Sequence, residues 1–174
     1  MTSQSHRPAD SSGQELRDRK AIEDALLRFA QAIDSRDWST YQSQFSTPVE
    51  IDYRSLLGGE VLSLSAMAWA DQASRSFAGF EATQHFISNL LSSVDGDFGA
   101  CAAYVYAEHF ARSGDDRVSW SMGGRYGARL SRSESGWSID ALRLDVLWSR
   151  GDEKIFELAA RNAQTSPPQQ SERE

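Results

Sequence analysis

Four side chains in this 174-residue chain, His85, His109, Asp34 and Tyr53, could act together to move a proton. An imidazole kept neutral near pH 7 can take a proton, and a carboxylate beside it fixes which ring nitrogen is left open to do so. His85 stands in FEATQHFISNL, which reads as a strand with Phe86, Ile87 and Leu90 as its apolar residues. A hairpin turn centred near Asp97 makes His85 and His109 direct cross-strand neighbours, about 5 Å apart on one face, unless a bulge shifts the register. That face alternates Ala103, Val105, Ala107 and His109 against Tyr104, Tyr106 and Glu108, so the histidines belong to the small apolar side and look inward. Two imidazoles close together in an apolar cavity resist double protonation, which favours a neutral general base.

Asp34 and Tyr53 come from elsewhere in the chain. Ile22, Leu26, Phe29 and Ile33 recur at helical spacing and predict an amphipathic helix over 15–34. Asp34 then lies at the edge of its apolar stripe and at the negative end of its dipole, a place that disfavours a carboxylate unless a histidine compensates. Capping the next helix is the competing role for Asp34. Tyr53 ends a predicted strand, VEIDY (49–53), and offers a phenolic hydroxyl to a carbonyl oxygen. Asp52 and Arg54 beside it read as solvated.

The elements around these residues follow from periodicity and turn chemistry. A short helix begins at Asp37–Trp38, and 63–77 reads as a helix carrying Met67, Ala70, Ala73 and Phe77. VDGDFG, SGDD and SESG mark hairpins between long strands, and 152–163 predicts a terminal helix. Helices, then a meander, then a helix is an α+β order. A sheet of such strands twists and curls, which gives a cone-shaped half-barrel: a curved, mostly antiparallel sheet around the N-terminal helices, with a pocket at its mouth. Residues 14–164 form the single domain, and the polar segments 1–13 and 165–174 read as disordered tails.

Composition narrows the partners. A net charge of −7 without a cluster of basic residues argues against nucleic acid and anionic membranes. No apolar run reaches the roughly 20 residues of a bilayer span, and the start lacks a secretory signal, so a cytoplasmic location is expected. Cys101, the single cysteine, reads as buried and inert. A metal site built from His85, His109 and Asp34 is the weaker alternative for the histidines. The five tryptophans read as core or subunit interface, and Tyr104 and Tyr106 on the sheet's outer face favour a partner subunit.

The segments IDSRDW (33–38), VEIDYRSLL (49–57), TQHF (83–86), GW (136–137) and LRLDVLWSRGDEKIFE (142–157) resemble scytalone dehydratase, of the nuclear transport factor 2-like or SnoaL-like superfamily. The resemblance covers roughly residues 15–160 and implies the same cone, with the C-terminal helix over its pocket. It implies a lyase that removes water from a hydroxy-ketone without metal or organic cofactor, with His85 as proton shuttle. Asp34 and His109 would be a supporting pair, and Tyr53 would hold a water or touch the carbonyl. Phe156 would close the pocket, which Tyr126, Ile33 and Leu142 would also line. The family's second water-holding tyrosine falls at Ile33 and its Ser-x-Asn pair at Gly124 and Tyr126. These departures argue against scytalone itself as substrate and leave the Tyr126 hydroxyl as a replacement. The resemblance also implies a homo-oligomer, with a trimer favoured and a dimer the alternative. An isomerase using the same proton abstraction, or a non-catalytic binding or accessory subunit, are the other readings of this fold.

Overall fold

The computed structural model describes residues 11–165. Their order is α1 (Ser11–Ser35), α2 (Trp38–Ser43), β1 (Phe45–Asp52), α3 (Arg54–Leu57), β2 (Leu62–Leu64), α4 (Ala66–Phe77), β3 (Ala82–Asp95), β4 (Phe98–Ser113), β5 (Asp116–Ser133), β6 (Gly136–Gly151) and α5 (Ile155–Thr165). The strands form one sheet in the order β2-β1-β6-β5-β4-β3, antiparallel throughout except where β1 runs parallel to β6. The expected α+β half-barrel is therefore present. α1 begins at Ser11, inside the segment expected to be a tail, and the remainder of both tails lies outside the described residues.

α1 spans 25 residues, about 37 Å, and it is the element around which the sheet closes. Ile22, Leu26, Phe29 and Ile33 are all less than 5% exposed, the stripe expected from their spacing. Its first half is fastened by Asp18, a buried carboxylate that accepts two hydrogen bonds from Arg132 (2.7 and 2.6 Å) and one from Trp137 Nε1 (3.2 Å). The paired arginine outweighs burial and holds that carboxyl down at about 2. Ser92 on β3 donates to Glu23 at 2.6 Å. With these ties along its length, the C-terminal end of α1 delivers Asp34 to a fixed point beside β3.

Three expectations need correction. Met67 is 60% exposed, and α4 instead buries Ala66, Trp69, Ala70 and Ala73; it starts only after β2, with Ser65 as its cap. Asp37 caps α2 at the expected start of that helix, its carboxylate accepting from Thr40 N at 3.0 Å, so the competing cap role for Asp34 is the one corrected. The hairpin register is also different. Asp95 pairs with Phe98 across a two-residue Gly96–Asp97 turn, and β3 then bulges between Ser88 and Leu91. Asn89 takes the left-handed conformation there (φ 53°), which asparagine tolerates better than most residues. Turn and bulge together move His85 opposite Ala107 and put Thr83 opposite His109. Because the net slip is two residues, both histidines keep the inner face.

Candidate active site

Asp34 grips His85 with both carboxylate oxygens. Oδ1 lies 2.7 Å from His85 Nδ1, and Oδ2 accepts the His85 backbone N–H, also at 2.7 Å. Thr83 Oγ1 donates to Oδ1 at 3.0 Å. The His85 side chain is only 4% exposed while that of Asp34 is 22% exposed, so the dyad meets solvent through its carboxylate. Burial by itself would raise the Asp34 carboxyl, but the hydrogen bonds and charge of His85, joined by Thr83, outweigh it and hold the group below its ordinary value. An anionic carboxylate on Nδ1 leaves Nε2 as the nitrogen free to take a proton.

His109 does not pair with Asp34. Thr83, its cross-strand partner, takes the place next to the carboxylate, and the two histidine rings meet edge to face at 5.5 Å instead. His109 lies among Phe80 (5.2 Å), Trp120 (5.4 Å), Phe156 (5.8 Å) and Phe77 (5.9 Å). Burial in this aromatic shell, with His85 adding to it, pushes His109 down to about 3. Its Nδ1 and the indole N–H groups of Trp69 and Trp120 are buried with no hydrogen-bond partner. Such unpaired buried atoms are costly in a closed core.

Tyr53 stands just past β1, half-buried, as the residue that starts α3. Its ring is 5.4 Å from Trp69 and 6.5 Å from Tyr126. Burial raises the Tyr126 hydroxyl to about 12; an interaction with the Tyr53 hydroxyl works against this and the Asp34 charge adds to it. The two phenols therefore neighbour each other and stay protonated, with Tyr126 near enough to feel the Asp34 charge. Phe156 on α5 lies 5.0 Å from Trp120, 5.7 Å from Phe80 and 5.8 Å from His109. Ile33 is 4% exposed and Leu142, between Ile51 and Ala128, is 1% exposed; both are in the hydrophobic core. Cys101 is buried and its thiol is raised to about 11 by burial, with Glu23 adding to it. Among the described residues no three His, Cys, Asp or Glu side chains are grouped to hold a metal ion.

The site also uses residues that motif reading passed over. Thr83 was legible, since it lies two positions before His85 in TQHF and must share its face. Arg36 was not, because its contact depends on the backbone turning left-handed (φ 61°) at the end of α1.

Comparison with known proteins agrees with this architecture. The SnoaL-like domain family matches residues 14–143. A Mycobacterium tuberculosis protein, Rv2910c, described as uncharacterized, is 27% identical over 125 residues, covering 72% of this chain and 82% of its own. The crystal structure of Kfla4162 from Kribbella flavida superposes with a TM-score of 0.74 at 25% identity, over 83% of this chain and 97% of that one. A candidate scytalone dehydratase from Novosphingobium aromaticivorans shares the fold at a TM-score of 0.68 and 17% identity, over 79% and 89% of the two chains.

Proposed function

This chain belongs to the SnoaL-like domain family, and from that premise we propose that it is a cofactor-independent hydro-lyase acting on a small cyclic or aromatic hydroxy-ketone. The observation that carries the reading is the two-oxygen grip of Asp34 on His85, on Nδ1 and on the backbone N–H, which leaves Nε2 as the ring nitrogen of His85 not held by the carboxylate. A base so oriented takes the proton on the carbon next to the substrate carbonyl, and the C–H electron pair moves into an enolate. The protonated hydroxyls of Tyr53 and Tyr126 are suited to donate to the developing oxyanion. The enolate then re-forms the carbonyl and the carbon–carbon double bond while the C–O bond breaks. The proton held on His85 leaves with the hydroxyl as water. The half-buried rings of Phe77, 6.1 Å from His85, and Phe156 favour a flat, uncharged substrate.

The test is a screen of hydroxy-ketones by ultraviolet absorbance, since loss of water to an enone or aromatic ring changes the chromophore. Wild-type protein is expected to turn over at least one such compound, and His85→Ala to lose at least two powers of ten in rate with its fold unchanged by circular dichroism. Binding without turnover by the wild type would point to a ligand-binding subunit instead.

A further inference from the structure

Arg36 is the first residue after α1 and has a φ of 61°, a conformation in which glycine is the usual choice at a helix end. The guanidinium is folded back toward the site. Its Nη1 donates to the Ile33 carbonyl at 2.5 Å and to Thr83 Oγ1 at 2.9 Å, and its Cζ lies 5.5 Å from the centre of the Phe77 ring. Thr83 is 8% exposed and, while accepting from Arg36, donates its own hydrogen to Asp34 Oδ1. A cation, a hydroxyl, a carboxylate and an imidazole thus stand in one hydrogen-bonded line.

Each link has a physical task. The carboxylate of Asp34 is at the C-terminal end of α1, where the helix dipole disfavours negative charge, and the cation compensates for that. The threonine hydroxyl has one hydrogen to give. With its oxygen occupied by an arginine that can only donate, that hydrogen has to point away from the guanidinium, toward Asp34. Polarisation by the cation strengthens the bond it makes. Asp34 is thereby held in one rotamer, with both oxygens turned to His85.

We propose that Arg36 and Thr83 are positioning residues that hold Asp34 as an oriented anion and so keep His85 in the tautomer with hydrogen on Nδ1 and Nε2 open. Their effect on turnover rests on the reading of His85 as the base; their effect on the imidazole does not. The experiment is nitrogen NMR of the His85 ring in full-length protein, comparing wild type with Thr83→Val, Thr83→Ser and Arg36→Gly. Wild type and Thr83→Ser are expected to show one neutral tautomer with a strongly hydrogen-bonded Nδ1 proton. Thr83→Val and Arg36→Gly are expected to show a mixture, with that proton exchanging faster.

Arg36→Gly separates this role from a structural one, since glycine relieves the backbone and keeps the turn. Its melting temperature should fall little while the tautomer is lost, and it decides the matter if Thr83→Val does not fold. Where turnover is available, kcat should fall roughly ten- to a hundredfold in both variants with little change in KM. A single unchanged tautomer in Arg36→Gly, or loss of order only in step with unfolding, would overturn the proposal. Absence of turnover in wild type with the tautomer result intact would sink the catalytic reading alone.

Discussion

His109 shows how one residue can couple the site to stability. The residue is 4% exposed in the aromatic shell, and the charged groups acting on it are His85, Asp34 and Arg36. An unfolded histidine titrates near about 6.5, whereas the folded protein holds His109 down to about 3. Between these values the unfolded chain binds a proton that the folded one refuses, so stability falls as pH is lowered through that window, by up to about 1.4 kcal/mol per pH unit. Asp34 acts in the same direction further down, because its lowered carboxyl stabilises the fold above about pH 4 and that contribution is lost on protonation. Chemical denaturation as a function of pH should show the decline. His109→Phe, which has no proton to accept and matches its aromatic neighbours, should flatten it between pH 6 and pH 4, by roughly the slope of one proton. An unaltered slope would assign the acid sensitivity to other groups.

At the scale of elements, the sequence was most informative where a period or a turn dictated the outcome. The apolar stripe of α1, the three hairpins and the inward alternation of β4 follow from spacing alone, and they suffice to put two histidines and Asp34 in one place. What spacing could not supply was the bulge at Asn89, whose one extra residue, with the two-residue turn, decides that Thr83 rather than His85 faces His109. Pairing across long distances shows the same limit: Asp18 with Arg132 joins residues 114 apart, and nothing local marks it. The seat of α5 likewise depends on Gly79, between α4 and β3. A Cβ there would lie 1.7 Å from the carbonyl oxygen and 2.5 Å from the carbonyl carbon of Ala159, backbone atoms that a side-chain rotation cannot clear. Gly79→Ala should therefore push α5 outward and loosen Phe156 from Trp120 and His109, at a cost of about 1–3 kcal/mol. Hydrogen exchange is expected to speed up across α5 while β4 and β5 stay protected; equal exchange in all three would mean that the helix seat adapts.

On the scale of the whole molecule, the outer face of the sheet is the part that the site leaves unexplained. Trp148 lies flat over Gly123, where a Cβ would come within 2.3 Å of its ring, and continues through Tyr106 (5.8 Å) to Phe86 (6.0 Å) as a row of rings across the sheet. Leu91 and Phe98, 76% and 69% exposed, stand beside hollows of about 380–510 Å³ bordered by Ala100, Ala102 and Gly127. So much apolar surface on one face is unusual for a monomer. Projections and hollows carried by the same strands can be filled by a second copy turned through a two-fold axis. Arg125 and Arg129 on the same face as Asp95 give such a copy opposite charges to meet. A second copy covering this face would make a two-fold dimer; a three-fold ring would instead need a second, different patch. Sedimentation should give the dimer mass for wild type and the monomer mass for Leu91→Glu, with circular dichroism unchanged. A trimer that survives Leu91→Glu would move the contact to another surface. Because His85 and Asp34 face the opposite side of the sheet, turnover should persist in the monomer, which makes assembly and chemistry separable in one variant.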